Sequence, residues 1–477
     1  MTGPVVQTDL GRVRGMASEG VSSFRGIPFA SAPDGPLRFR LPAPPAAWEG
    51  VREAVAFGSA PPQPAPAPGV PPFWRPADGL DCLTLNVWSP DPGAAGLPVM
   101  VWVHGGLWKF GSSSMPQYDA GELARSGVVV VTVNYRLGFE GFGHLPGIPD
   151  NRGLHDQLAA LQWVQRNIAA FGGDPGAVTL FGQSAGAASV ALLTATPASS
   201  GLFRRAIAQS VPDGYRTAAE AARITGMLAE AAGVPPTWAG FAGLPPEAVV
   251  AVQDVPLTDP QAGFSAFGPV IDGDLVTGPP WTAFRAGARR DVDLVCGFTH
   301  AEYRGMAPLP GGPDVDLAGV AAALGLGADA AAAYRAARPG HGDPDVFAEM
   351  MSDALVRMPT TWVAEAHSRA GGRTWLYDLT WPAPAVGAGH GVDVPLIFGN
   401  PGTRYAARLL GTPPPPGFGD LSREMRRAWV SFAATGDPGW PRFDPAGRRT
   451  RLWDTPPTDT AYPLGDLHRL WRRDPLR

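Results

Sequence analysis

The chain has 477 residues, 45% of them hydrophobic and 17% charged, which allows a large buried core and excludes a chain-wide disordered polymer. Its 61 glycines and 54 prolines follow no collagen-like period, so they mark many loops within a globular chain. A net charge of −5, with no basic run longer than a pair before the tail at 469–477, argues against nucleic acid as a partner.

The first twenty residues lack a basic start followed by an apolar core, so no signal peptide is read there. No apolar stretch reaches the roughly eighteen residues that a membrane helix needs. Cys82 and Cys296 offer neither a disulfide framework nor metal-ligand spacing. A cytoplasmic protein, with no membrane association and no metal or cofactor, is expected.

Residues 60–79 form a long Pro-rich loop, of the kind that serves as a lid or an insert. Leu97–Val103 is a continuous apolar run, as expected of a strand covered on both faces, and Val128–Val133 repeats the pattern. Leu154–Phe171 carries Leu158, Leu161, Val164 and Ile168 at helical spacing, ahead of a strand at Ala177–Phe181 and a helix at Ala185–Ala195. Further strands are expected at Val292–Cys296 and Thr374–Leu379, with shorter loops at 382–391 and 412–419. The alternation predicts an α/β fold with a central, mostly parallel sheet flanked by helices. No repeat or interdomain linker interrupts it, so residues 1–477 read as one domain with loop and helical insertions.

Chemistry concentrates where the strand Ala177–Phe181 enters the next helix through Gly182-Gln183-Ser184-Ala185-Gly186. A Gly-x-Ser-x-Gly turn there lifts a serine hydroxyl above the sheet, and the glycines avoid clashes that side chains would make. The bare motif is weak, with about 0.3 chance matches expected in a chain of this composition; its placement between strand and helix gives it weight. Directly after the strand 97–103 comes His104-Gly105-Gly106-Leu107-Trp108. Its backbone N–H groups at Gly106 and Leu107, with that of Ala185, suit an oxyanion hole. Lys109, the only lysine, is expected at the surface.

The serine needs a base and an acid that follow it in chain order. Of eight histidines, His390 lies in the small-residue loop Gly387-Ala388-Gly389-His390-Gly391, where a side chain can reach the sheet edge. His300 is its rival, while His104, His155, His367 and His468 read as structural or packing residues. Glu302 falls just past the strand 292–296, giving the order Ser184, Glu302, His390.

Further motifs run across nearly the whole chain: Phe24-Arg25-Gly26-Ile27-Pro28-Phe29-Ala30, Leu37-Arg38-Phe39, Asp81-Cys82-Leu83-Thr84-Leu85-Asn86-Val87, Asn134-Tyr135-Arg136-Leu137-Gly138, Asn151-Arg152-Gly153-Leu154-His155-Asp156-Gln157, the run Asn167 to Pro175 and Pro269-Val270-Ile271-Asp272-Gly273. With them the chain resembles the type-B carboxylesterase family of α/β-hydrolases, which includes cholinesterases, bacterial para-nitrobenzyl esterases and the non-catalytic neuroligins. The resemblance implies an active-site gorge with Ser184 as nucleophile, Glu302 as acid, His390 as base, and Gly106, Leu107 and Ala185 as oxyanion donors. It also implies that the loop 60–79 borders the gorge. Phe73 and Trp74 would then line it, with Trp108 nearer the serine; the alternative is that Phe73 and Trp74 pin the loop to the core. Ser189 resembles a serine that supports the triad, or is satisfied by its own helix.

Four departures from the family pattern stand out. Gln183 replaces the usual glutamate before the nucleophile, which removes a charge but keeps hydrogen bonding beside the triad. Leu107 replaces a third glycine, Val211 in Gln209-Ser210-Val211 stands where a glycine usually follows the serine and is expected to reshape the acyl pocket, and Cys82 lacks its usual cysteine partner, Ser59-Ala60-Pro61 standing in that region. The expected activity is hydrolysis of a small-molecule carboxylic ester through an acyl-enzyme, by a monomer or weak homodimer. Rival outcomes on the same site are acyl transfer, thioester cleavage, or a biosynthetic cyclisation or elimination. A non-catalytic interaction protein predicts a broken triad, and no His/Asp cluster here has the ligand spacing of a metallohydrolase.

Overall fold

The computed structural model describes residues 3–66, 70–253, 265–311, 314–462 and 464–471. Its main sheet has eleven strands: β1 (Met16–Ser18), β2 (Val21–Pro28), β3 (Thr84–Ser89), β4 (Leu97–Val103), β5 (Val129–Val133), β6 (Gly173–Gln183), β7 (Arg205–Gln209), β8 (Asp293–Thr299), β9 (Thr374–Leu379), β10 (Thr450–Trp453) and β11 (Thr458–Thr460). They lie in the order β11-β10-β9-β8-β7-β6-β4-β5-β3-β2-β1. From β5 to β10 every pairing is parallel, while β3, β2 and β1 at one edge and β11 at the other pair antiparallel.

The alternation of side chains along β4 and β5 divides the core into two layers. Val99, Val101, Val103, Val129, Val131 and Val133 join the larger apolar cluster on one face. Met100, Trp102, Val128 and Val130 join a second cluster on the other. Because both faces are covered, these strands read as unbroken apolar runs in the sequence.

Helices α1 (Arg152–Asn167), α2 (Ala185–Ala195) and α3 (Met358–Arg369) contribute to the first layer. Helices α4 (Asp393–Phe398) and α5 (Phe418–Thr435) contribute to the second. Every residue of α2 is buried, so its polarity has no periodicity to display. The helix expected over 154–171 starts earlier, at Arg152, and tightens to a 3-10 turn at Ile168–Phe171. Gly172, at φ 88°, then takes the left-handed turn that ends it.

Within the Pro-rich stretch a 3-10 turn covers Pro76–Asp78, and residues 67–69 lie outside the described part. Part of the basic tail, 472–477, also lies outside it. Among the described residues no helix is long and apolar enough to cross a membrane. The parallel strands β4, β6, β7, β8 and β9 share one carboxyl end of the sheet. They deliver His104, Ser184, Ser210, His300 and the loop to His390 to that end.

Candidate active site

Ser184 occupies the turn between β6 and α2 with φ 58° and ψ −127°, a conformation that L-residues rarely adopt. Its N–H donates to Gln209 O on β7 at 2.9 Å. The flanking glycines are required by β4: a Cβ on Gly182 would stand 2.7 Å from Val103 O, and one on Gly186 only 2.1 Å from it. The sheet thus grips the turn closely enough to hold the serine in a strained geometry.

Glu302, fully buried, opens the short helix after β8. Its Oε1 accepts from Ser210 Oγ at 2.6 Å and from Thr299 N–H at 2.9 Å, while its Oε2 accepts from His390 Nδ1. The His390 N–H donates to Glu302 O at 3.3 Å. Gly305 permits this approach, since a Cβ there would come within 2.3 Å of His390 N. Desolvation of the imidazole opposes its protonation, but the charge and hydrogen bond of Glu302 outweigh it and raise the pKa above the ordinary histidine value. With Nδ1 engaged, His390 Nε2 meets Gln183 Nε2 at 3.1 Å. Among the described residues, Ser184 Oγ makes no hydrogen bond.

A second buried carboxylate lies behind this group. Burial pushes Asp393 up to about 6, partly offset by Gln209 Nε2, which donates to Asp393 Oδ2 at 2.7 Å. Trp429 Nε1–H in turn donates to Gln209 Oε1 at 3.1 Å. Gln209 therefore links the backbone of Ser184 to the stretch that carries His390.

The glycine loop is fixed through its carbonyls. Gly106 O accepts from the N–H groups of Lys109 and Phe110, Leu107 O from Ser265 Oγ at 3.0 Å, and Trp108 O from Gly138 N–H at 2.7 Å. His104 is structural, as expected: its ring lies 4.6 Å from that of Tyr135, whose hydroxyl donates to His104 O at 2.7 Å. Burial drives the His104 pKa down to about 4. Gly106 (φ 119°), Leu107 (57°) and Trp108 (55°) turn through left-handed backbone, a conformation that favours glycine, so Leu107 and Trp108 bear strain there. Among the described residues the N–H groups of Gly106, Leu107 and Ala185 have no internal acceptor. A Cβ on Gly105 would stand 3.0 Å from Ser184 Cβ, which places this loop directly against the serine.

The other predicted residues take varied places. Trp74 is buried with Ala60, Phe73 and Val250, and its indole N–H donates to Gly79 O at 2.8 Å. Gln63 ties the same loop to the site by exchanging two hydrogen bonds with Gly111. Trp108 is buried with its ring against Gly214, and the fully buried Val211 donates its N–H to Thr360 Oγ1 at 2.9 Å. Ser189 Oγ donates to Ala185 O within its own helix and accepts from Gln157 Nε2. Lys109 is half-buried rather than exposed, and its Nζ donates to Gln253 O at 2.9 Å. His300, the rival base, pairs with Asp378 at 2.8 Å. Cys82 and Cys296 are buried free thiols.

Sequence reasoning passes over Ser210 as a ligand of Glu302, Gln209 as a link to Asp393, and Ser265 as a prop for Leu107. Position in the sequence does not reveal the first two, because the pattern hides the strand Arg205–Gln209 that sets them between the strands leading to Ser184 and Glu302.

A mostly parallel sheet with helices on both faces, a strained serine at a strand-to-helix turn and a Glu-His pair that reaches the residue before it define the class: a carboxylic ester hydrolase of α/β-hydrolase fold. Residues 2–313 and 340–461 match the model of the Carboxylesterase family, and the chain belongs to that family. It is 35% identical to the para-nitrobenzyl esterase of Bacillus subtilis (strain 168), over 95% of this chain and 96% of that one. It is also 35% identical to the fumonisin B1 esterase of Sphingopyxis macrogoltabida, over 93% of this chain and 85% of the relative. The crystal structure of a Geobacillus stearothermophilus carboxylesterase superposes with a TM-score of 0.86 at 33% identity, covering 98% of this chain and all of that one.

Proposed function

We propose that the chain hydrolyses small-molecule carboxylic esters through an acyl-enzyme on Ser184. His390 takes the Ser184 proton as the hydroxyl attacks the ester carbonyl, and Glu302 holds the imidazole in the Nδ1–H tautomer and stabilises its charge. The N–H groups of Gly106, Leu107 and Ala185 receive the developing oxyanion; removing one such donor costs on the order of a hundredfold in rate. His390 then protonates the departing alcohol, and water activated by the same imidazole releases the acid. The bond made and broken on the enzyme is the Ser184 Oγ–acyl bond.

The observation that carries this reading is the hydrogen-bonded Ser210–Glu302–His390 chain, whose far ring nitrogen reaches Gln183, the residue before Ser184, with the glycine loop pressed against the serine. The relatives named for para-nitrobenzyl and fumonisin B1 esters support a small-molecule substrate. In the same reading the protein works without a metal or cofactor, as a cytoplasmic monomer or weak homodimer. The test is mass spectrometry after brief exposure to an ester whose acyl group leaves slowly. One acyl group on the peptide bearing Ser184 is expected, and an adduct elsewhere or a product formed by transfer to a second alcohol would overturn the assignment.

A further inference from the structure

The one lone pair that a base in this site must offer to a serine is already taken. His390 Nδ1 faces Glu302 Oε2, while the carboxylate's other oxygen accepts from Ser210 Oγ and Thr299 N–H; an acceptor at Oε2 places the ring proton on Nδ1. His390 Nε2 is then an acceptor, and its partner is the Gln183 amide nitrogen at 3.1 Å. The amide oxygen lies on the opposite side, against the glycine loop: a Cβ on Gly105 would stand 3.1 Å from it. Gln183 is 5% exposed, so this contact is made largely out of water.

We infer that Gln183 is a positioning residue that latches the base. In the resting enzyme its amide N–H occupies the His390 lone pair, and the Ser184 hydroxyl must replace it before the proton can move. This rests on the proposed roles of Ser184 and His390 and adds a step to them. The latch keeps the imidazole turned toward the serine while stabilising its neutral form, because an N–H donor favours the unprotonated ring nitrogen. A carboxylate at position 183 would do the reverse, since it can pair only with the imidazolium. The remaining charges facing His390 are Glu302 at Nδ1 and, through space, Asp393, which accepts from Gln209; His300 and Asp378 on the neighbouring strands are paired with each other.

The experiment compares kcat/KM across pH 5 to 9 on one para-nitrophenyl ester for the wild type, Gln183→Met and Gln183→Glu, with Ser184→Ala as control. Methionine keeps the length and removes the donor. Loss of one hydrogen bond to the neutral imidazole moves the acid-limb midpoint up by about half a pH unit or more, and glutamate moves it further. The order wild type, Gln183→Met, Gln183→Glu in rising midpoint is the expected result. Midpoints that coincide, with only a uniform drop in rate, would make Gln183 a packing residue and overturn the latch, as would the reverse order. Turnover surviving in Ser184→Ala would instead sink the nucleophile assignment, so the two failures are told apart.

Discussion

Ser210 and Glu302 meet at 2.6 Å across the ends of neighbouring parallel strands, the hydroxyl donating to the carboxylate Oε1. Together with the Thr299 N–H on the same oxygen, this leaves Oε2 to face His390. Hydrogen bonds to charged groups contribute about 1.5–3 kcal/mol, and part of that here fixes the direction of the carboxylate. Ser210→Ala is expected to lower kcat by about tenfold with little change in KM. Steady-state kinetics checks this; an effect confined to KM would place Ser210 in substrate binding.

The pH profile follows from the Glu302–His390 pair. Burial disfavours the imidazolium, but Glu302 more than compensates, so His390 titrates above the ordinary value of about 6.5. In the proposed mechanism the neutral ring is the base. The rate therefore falls as pH drops through that raised value and is full above it. A kcat/KM profile flat from pH 5 to 9 would contradict the assignment of His390.

Stability responds to acid through histidines that play no part in the chemistry. Burial depresses His367, like His104, to about 4, whereas in the unfolded chain each returns to about 6.5. Between those values the unfolded state binds more protons, so stability rises with pH across the window. The contribution is complete above about 6.5 and is lost as pH falls toward 4, on the order of 3 kcal/mol per histidine. Denaturant unfolding at pH 7 and pH 4.5 is expected to show a smaller drop for His367→Gln than for the wild type. Equal drops would mean that His367 is protonated in the folded state.

The sequence and the structure agree best where a strand or helix is covered on all sides. Leu97–Val103, Thr374–Leu379 and Ala185–Ala195 have the boundaries that their apolar runs imply. Strand Arg205–Gln209 escapes the pattern because it is short and begins with a buried arginine, whose Nη1 donates to Ala433 O at 2.6 Å. The strand 173–183 is longer than its apolar part because Gly173-Asp174-Pro175-Gly176 carries turn residues yet pairs beside Leu97 through an irregular register. Ser184, Glu302 and His390 are legible from motif and chain order. Ser210 and the Gln183 contact are not, since both depend on which strand ends lie side by side and on how close two side chains come.

The most direct measurement is hydrolysis of a short para-nitrophenyl ester series by purified protein beside folded Ser184→Ala. The account predicts turnover by the wild type, and at least a thousandfold loss in the variant, on the order seen when a catalytic nucleophile is removed. A variant that keeps turnover, with its fold shown intact by circular dichroism, would contradict the central assignment of Ser184.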